Sequence, residues 1–198
     1  MKSAKNAGTL FAADIGSVTV MGNIDGGEIS AETGIKNVKV VGSLRSDDPL
    51  DPAILRVGAN IDKVLIKGDV QNALLLAGYN KELEPRNPDA RIGQVTVKGS
   101  WSASSVVAGV ADPGDDGFGQ NDALIGVDTT PDVLSRIASV IIKRMATGSI
   151  VPGDHSAITA QKIGELRING DKIPLTKGPD DLNLDPLNQN FRAVEVLG

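Results

Sequence analysis

Aliphatic and variable positions alternate in the same way in six short segments of this chain. Each segment reads Ile, two variable residues, an aliphatic, a variable residue, an aliphatic, a variable residue and Gly, and only the fifth lacks the Gly. The six octads are IGSVTVMG (15–22), IKNVKVVG (35–42), IDKVLIKG (61–68), IGQVTVKG (92–99), IASVIIKR (137–144) and IGELRING (163–170). Because side chains alternate along a strand, the fourth and sixth positions share one face. All twelve residues at these positions are aliphatic, so the pattern predicts six strands with one apolar face each.

The octads recur at uneven intervals, their first residues lying 20, 26, 31, 45 and 26 residues apart. A leucine-rich repeat would need a steady period of about 20–29 residues. Constant short strands with variable connections are typical of a solenoid in which each coil buries its apolar edge on the next. We therefore predict an all-β chain that forms a right-handed parallel β-helix of about six coils with long loops.

The predicted coils cover about residues 15–170 of a single domain that spans residues 1–198. Residues 171–198 depart from the octad pattern, and we interpret them as an irregular C-terminal cap, since an exposed solenoid end is an open sheet edge. The lead Ile of each octad is out of phase with the other two aliphatic residues, which places it at the bend entering the strand. The closing Gly is suited to a tight turn that leaves the strand.

A second strand in each coil is predicted about seven residues after the octad. Two octads are followed there by the similar segments ALLLAG and SSVVAG, which align Leu75 with Val106. By the same count, Ile29 and Val151 are the equivalent residues in their own coils. These four positions predict a second apolar ladder beside the first.

The fifth octad lies in a segment that also fits a helix. In TTPDVLSRIASVIIKRMATG (129–148), Thr129 and Asp132 can form a capping box and Gly148 can end a helix. The register of the octad and the three β-branched or aliphatic residues at 140–142 favour a strand. We predict a strand within 131–146, with a short helical turn before it or a helix throughout as the alternatives.

Composition agrees with layered strands. Aromatic residues make up 3% of the chain, Gly residues number 23, and there is no Cys. The absence of Cys excludes disulfides, zinc–thiolate sites and a Cys nucleophile. No apolar run is long enough to span a membrane. The apolar patch in MKSAKNAGTLFAAD is too short for a signal peptide, so we expect the signal of an exported parent protein outside this chain.

Charge is distributed unevenly along the chain. The net charge of −5 disfavours a nucleic-acid partner, yet the octads contain eight basic and only two acidic residues. Lys67, Lys98 and Lys143 occupy one column of the predicted sheet. Two interpretations stay open: a stripe that binds anions or a polysaccharide, and a solvated face that keeps the sheet soluble. The lack of aromatic residues between the Lys residues favours the second.

Acidic residues gather in one insertion, ADPGDDGFGQND (111–122). Its candidate metal ligands are Asp112, Asp115, Asp116 and Asp122, between which three Gly residues let the backbone fold tightly. Calcium takes six to eight oxygen ligands, so the loop predicts a calcium site, although its spacing does not match an EF-hand. The alternative is an acidic Gly-rich turn that forms without a metal ion.

The insertion at 79–91 leaves the preceding coil at the same point as the acidic insertion. We therefore predict that both loops project from one side of neighbouring coils. His155 follows at a similar offset in the next coil, and with Tyr79 and Arg86 it completes a candidate binding surface. A lone His in a loop is also commonly no more than solvated.

Sequence signals for catalysis are few. No octad displays the paired carboxylates that glycosidases use, and there is no G-x-S-x-G elbow, phosphate loop or dinucleotide fingerprint. We therefore expect a protein that is not an enzyme. The alternative is a β-helix carbohydrate-active enzyme, either a polysaccharide lyase or a glycoside hydrolase, with its site near loops 79–91 and 110–136.

The run IGQVTVKGSWSASSVVAGVADPGDDGFGQND (92–122) resembles the repeats of very large exported proteins of planctomycete-type bacteria. In those proteins I-G-x-V-x-V-x-G strands alternate with A-G-x-x-P-G-x-D-G-x-F-G loops, and the other octads extend the resemblance over roughly residues 15–170. The resemblance implies a secreted or cell-surface repeat domain with a structural or adhesive role. We expect a polysaccharide or a surface protein as its partner.

Overall fold

The computed structural model describes residues 8–114, 116–126, 132–151, 154–185 and 190–197. These residues form strands, turns and bends without a helix, so they include no helix long and apolar enough to cross a membrane. The predicted all-β class is confirmed. The strands are, in chain order, β1 (Thr9–Ala12), β2 (Ile15–Val20), β3 (Ile24–Asp25), β4 (Glu28–Ala31), β5 (Gly34–Val40), β6 (Leu44–Arg45), β7 (Ala53–Val57), β8 (Asn60–Ile66), β9 (Val70–Gln71), β10 (Ala73–Ala77), β11 (Arg91–Val97), β12 (Trp101–Ser102), β13 (Ser105–Ala108), β14 (Val110–Ala111), β15 (Ala123–Leu124), β16 (Arg136–Ile142), β17 (Ala146–Thr147), β18 (Ser156–Ala160), β19 (Lys162–Ile168), β20 (Asp171–Ile173), β21 (Asp181–Asn183) and β22 (Phe191–Glu195).

Three sheets contain all of these strands except the hairpin β14–β15. The octad sheet has the order β2-β5-β8-β11-β16-β19-β20, the second sheet β1-β4-β7-β10-β13-β18-β22-β21, and the short sheet β3-β6-β9-β12-β17. From β2 to β19 the chain passes from an octad strand to a short-sheet strand and then to a second-sheet strand in every coil. Pairing is parallel throughout, apart from the terminal strands β20 and β21. The predicted parallel strands in stacked sheets are thereby confirmed.

The six octads form the six parallel strands of the octad sheet. Their lead Ile residues are paired in register from Ile15 to Ile163. Residues at the fourth and sixth positions form one core cluster with residues of the other two sheets, and Val18, Val20 and Ile168 are partly buried and pack against it. The fifth octad lies in the strand β16, as predicted. No helix is found in the described part of its segment, 132–148, while 127–131 lies outside the described residues.

The lead Ile lies inside the strand and is buried, whereas the prediction placed it at a bend before the strand. In every coil the register skips the second octad position. For example, Ile61 pairs with Ile92 and Lys63 with Gln94, while the residues between them are unpaired. This interruption shifts the alternation by one residue, so the first, fourth and sixth positions all face the core.

The closing glycines of consecutive octads stack on one another. Gly42, Gly68 and Gly99 each donate a backbone N–H to the corresponding Gly of the preceding coil, over 2.8–3.0 Å. A Cβ added to Gly68 would lie 2.8 Å from the carbonyl carbon and oxygen of Gly42, and closer still to the Ser43 hydroxyl. These three glycines have ordinary negative φ angles. Close approach of neighbouring backbones therefore requires glycine here, rather than the turn conformation that was predicted.

The second sheet has its own apolar ladder, in which Ile29, Leu75 and Val106 occupy one column as predicted. The prediction for the following coil is wrong. Val106 pairs with Ile158, whereas Val151 lies outside the strands and is 45% exposed. The connection between β17 and β18 is longer than those in the preceding coils, so β18 begins later in the sequence. A constant offset from the octad therefore identifies the wrong residue.

One arginine is buried on the side of the second sheet that faces away from the main core. Arg56 lies between the core residues Leu55 and Val57 in β7, and its side chain is 2% exposed. Its Nε donates to Glu28 Oε1 over 2.6 Å, and its Nη2 lies 2.5 Å from the same oxygen. Because Glu28 belongs to β4, this ion pair joins two adjacent coils.

From residue 171 onward, two of the three strands pair in the antiparallel direction. β20 folds back on β19 in the octad sheet. In the second sheet, β22 continues the parallel series beside β18, and β21 pairs with it in the antiparallel direction. The described part of the segment predicted as a cap thus occupies the last edge of both large sheets.

Candidate functional site

The outer face of the second sheet is covered by the two loops 79–91 and 110–126. A small apolar cluster, separate from the main core, lies between the loops and the sheet and contains Leu76, Tyr79, Val107, Val110 and Ile125. The Tyr79 hydroxyl donates to the Val110 carbonyl over 2.5 Å and so joins the first loop to the second. Burial raises the pKa of Tyr79 well above its usual value, and the charges of Asp122 and Asp112 add to the rise. The loops are neighbours, as predicted, but they form a packed cover over the sheet.

Each loop begins at a glycine with positive φ, 100° at Gly78 and 66° at Gly109. This left-handed region is accessible to glycine at little cost. Space is also limited, since a Cβ on Gly78 would lie 2.6 Å from the Asn87 carbonyl oxygen. The matching glycines that the sequence aligns are therefore the points where the chain leaves the second sheet.

The carboxylates of the acidic loop accept hydrogen bonds from the amides of the loop itself. Asp112 Oδ1 accepts the Gly114 N–H over 3.1 Å, and Asp112 Oδ2 accepts the Gly117 N–H over 2.9 Å. Asp122 Oδ2 accepts the Gly119 N–H over 3.0 Å. This is the bonding expected of an acidic Gly-rich turn that needs no metal ion.

Two carboxylate oxygens of the loop, Asp116 Oδ1 and Asp122 Oδ1, are buried without a hydrogen-bond partner among the described residues. Burial raises the pKa of Asp122 to about 7, and the charges of Asp112 and Asp116 add to the rise. The Gly119 amide and the nearby Thr159 hydroxyl oppose it. The Thr159 hydroxyl belongs to the second sheet, is fully buried, and makes no hydrogen bond of ordinary geometry within the described structure. A protonated Asp122 is therefore the form that the folded state prefers at mildly acidic pH.

The raised pKa of Asp122 predicts a pH dependence of stability. Its reference pKa is 3.8 and its folded value is about 7. Because folding favours the protonated form, the stability linked to this group is fully present below about pH 4 and is lost as the pH rises through 7. Asp122→Asn keeps an acceptor for Gly119 and removes the charge. It should raise the free energy of unfolding at pH 8 by about 1–2 kcal/mol, after discounting for partial exposure, and change it little at pH 4.5.

Urea unfolding of both proteins at pH 4.5 and pH 8, with EDTA present, measures this difference. Asp62→Asn is the matched control, because Asp62 is an exposed carboxylate on the octad sheet. The control should show the same stability change at both pH values. An Asp122→Asn effect that is equal at pH 4.5 and pH 8 would contradict the assignment.

The predicted metal ligands are brought together only in part. Asp112 and Asp116 lie close together, since a Cβ added to Gly114 would be 3.6 Å from Asp112 Oδ1 and 2.9 Å from Asp116 Oδ1, and both of their charges raise the pKa of Asp122. Asp115 lies outside the described residues. In the part of the chain that the structure describes, no group of three or more His, Asp or Glu side chains is arranged to hold a metal ion. Calcium binding by the loop stays a prediction.

His155 lies against the acidic loop, at the place the sequence indicated. Its backbone N–H donates to the Asp116 carbonyl over 3.0 Å, and it forms a parallel bridge with Gly117. Its Nδ1 lies 3.5 Å from Gln120 Nε2. Beside this contact is a cleft of about 270 Å³, and the chemically active groups in its lining are Asp112, Asp154 and His155. Asp154 was not predicted from the sequence, although its position next to the sole His was a usable signal.

Other candidates from the sequence lie elsewhere. Arg86 pairs with Glu84 of its own loop and does not line the cleft. Lys67, Lys98 and Lys143 are exposed in consecutive coils of the octad sheet and form no ion pair within the described ranges. Their arrangement fits a solvated face as well as an anion-binding stripe.

No protein-family model, curated protein or solved structure matches this chain. The class of the protein is therefore defined by its own geometry, as an all-β chain of parallel strands in stacked sheets. The cleft beside His155 lies where the acidic loop meets the second sheet.

Proposed function

We propose that the chain is a right-handed parallel β-helix in which each coil contributes one strand to each of the three sheets. The support is the fixed order of octad, short-sheet and second-sheet strands around one shared core. The right hand follows from the strong preference of parallel crossover connections for that hand. In this architecture the Ile ladder and the glycine column run along the axis of the solenoid.

We propose further that this β-helix is a non-catalytic structural or adhesive module of an exported or cell-surface bacterial protein. One observation carries the proposal: the ladders continue from coil to coil while Asp112, the loop carboxylate beside the cleft, has both oxygens bound to loop amides. A carboxylate whose two oxygens are both bound to loop amides is not free to attack a substrate. The resemblance of residues 92–122 to exported repeat proteins supports the location, and a polysaccharide or a surface protein is the proposed partner.

Incubation with a panel of neutral and uronate-containing polysaccharides tests this proposal. Reducing ends report hydrolysis, and absorbance of unsaturated products reports a lyase reaction. A non-catalytic module should give neither product above a heat-denatured control. Turnover by the native protein that disappears in Asp154→Asn or His155→Gln would overturn the proposal.

The alternative function is that of a carbohydrate-active enzyme with its site near loops 79–91 and 110–136. The observation that favours it is the cleft whose lining includes Asp112, Asp154 and His155. Hydrolysis of a glycosidic bond needs two carboxyl groups about 5–10 Å apart, one of them able to give up a proton. The variants of the preceding experiment distinguish this enzyme from a structural module.

Calcium stabilisation of the acidic loop is proposed for the same module. The unpartnered oxygens of Asp116 and Asp122 support it, because calcium binds carboxylate oxygens. Replacing EDTA by calcium in the unfolding experiment at pH 8 should raise stability, and the double variant Asp115→Ala/Asp116→Ala should abolish the rise. If the free energy of unfolding of the intact protein were the same in calcium and in EDTA, the calcium site would be contradicted. The loop would then be a turn held by its own amides.

A further inference from the structure

Most arginines of this chain are paired with carboxylates. Five of the eight form ion pairs, namely Arg45, Arg56, Arg86, Arg167 and Arg192. Across the described ranges, Arg91, Arg136 and Arg144 form none. Two of these three, Arg91 and Arg136, are neighbours in the octad sheet. Their like charges lie on adjacent strands and have no ion-pair partner among the described residues, which favours an anion from outside the chain.

Register fixes the two arginines side by side. Each residue directly precedes a lead Ile, and Arg91 pairs with Arg136 across β11 and β16. Their backbones are therefore one strand spacing apart, about 4.8 Å. Both side chains are exposed. Asn60 precedes them in the same row and Lys162 follows.

Lys162 shows what a structural cation in this row looks like. Its Nζ lies 2.9 Å from Glu195 Oε1, and Glu195 is 5% exposed. The same carboxylate accepts the Ile163 N–H over 2.8 Å. This ion pair therefore joins β22 of the second sheet to β19 of the octad sheet. Arg91 and Arg136 have no equivalent partner in the described structure. Their charges are available to a ligand, whereas that of Lys162 is not.

The two arginines line an open groove of about 440 Å³. Its lining includes Gly93 and Ala138, whose small size leaves room beside the guanidinium groups. Asn60 adds an amide that can donate a hydrogen bond. Asp62 is the one carboxylate among the lining residues, and it forms no ion pair with either arginine in the described part of the chain.

We propose that this groove binds an oxyanion group, a carboxylate or a sulfate, carried by an anionic polysaccharide. The planar guanidinium fork matches both oxyanions and donates two parallel hydrogen bonds to each. A single-stranded nucleic acid is disfavoured, because no aromatic side chain for base stacking lines the groove and the net charge is −5. The inference rests on the adhesive form of the proposed function and names the chemistry of its ligand.

Binding of dextran sulfate, polygalacturonate and neutral dextran to the full chain tests the inference at low salt. The first two probes distinguish a sulfate from a carboxylate as the bound group, and at least one of them should bind while neutral dextran should not. The double variant Arg91→Gln/Arg136→Gln should weaken that binding at least about tenfold, because each substitution removes a guanidinium group and its charge-assisted hydrogen bonds. Circular dichroism and thermal unfolding verify that the variant is folded.

The matched control is Lys67→Gln/Lys98→Gln, which removes two exposed charges from adjacent coils of the same sheet. This control should weaken binding less than about threefold, and Arg91→Lys/Arg136→Lys should fall between the two double variants. If the arginine and lysine double variants lost binding affinity equally, the groove would not be the binding site. Binding would then depend on the overall positive charge of the sheet. Binding of neutral dextran alone would overturn the inference but keep the adhesive function, whereas turnover of any probe would overturn that function itself.

Discussion

Gly68→Ala should lower the free energy of unfolding by about 2–3 kcal/mol, because a methyl group does not fit between the stacked coils. The added methyl group would meet the Gly42 carbonyl at 2.8 Å and the Ser43 hydroxyl at a shorter distance. Both neighbours are held in place, because the Gly42 carbonyl accepts the Gly68 N–H over 2.8 Å and the Ser43 hydroxyl accepts the Asp69 N–H over 3.0 Å. Relief of the clash must therefore separate two coils and stretch that hydrogen bond. Urea unfolding at pH 7 measures the loss.

Gly22→Ala is the matched control. Gly22 is the first glycine of the same column, and no heavy atom lies within 4 Å of a Cβ added there. The substitution should leave stability unchanged or raise it by up to about 1 kcal/mol, because the methyl group meets no atom in the folded state and reduces the flexibility of the unfolded chain. If Gly22→Ala were as destabilising as Gly68→Ala, contact between stacked coils would not be the reason for glycine in this column.

Glu28→Ala should cost about 3 kcal/mol, since it leaves the Arg56 guanidinium buried without its counter-charge. Arg56 is 2% exposed, and Glu28 is its ion-pair partner in the adjacent strand. The double variant Glu28→Ala/Arg56→Leu should recover at least half of the loss, because an apolar side chain carries no desolvation penalty at this site. Unfolding of the two single variants and the double variant forms a double-mutant cycle.

An exposed ion pair provides the comparison. Asp181 pairs with Arg192 at 2.5 Å, and the Asp181 side chain is 59% exposed. Asp181→Ala should change stability little, as is usual for ion pairs in contact with water. A Glu28→Ala variant as stable as Asp181→Ala would show that water reaches Arg56 or that its chain repacks.

The octad pattern was sufficient to predict the parallel strands and to prefer a strand over a helix in β16. Strand alternation reports which side chains share a face, and the aliphatic ladder constrains the register of every coil. The same pattern could not locate the lead Ile correctly. An interruption of the pairing at the second octad position leaves no mark in the order of apolar residues, so alternation alone placed the residue at a bend.

The candidate site was less accessible to sequence reasoning. The sequence indicated that the loops at 79–91 and 110–126 emerge side by side, and that His155 lies nearby. It did not indicate that Tyr79 binds the Val110 carbonyl, because that contact depends on how two irregular segments fold back over a sheet. The apolar residues Val110 and Ile125 within a polar insertion were the available signal. Arg91 and Arg136 were missed because each lies one residue before an octad, outside the repeated pattern.

The shared cluster beneath the two loops also bears on how this chain can change over time. In a solenoid, a connection between coils can usually lengthen or shorten without disturbing its neighbours, because the strands alone maintain the stack. Tyr79 and Ile125 break that independence, since a deletion in either loop exposes the apolar surface of the other. Insertions are therefore expected to be tolerated at the exposed turn near Leu50, which is 93% exposed, while the two covering loops must vary as a pair.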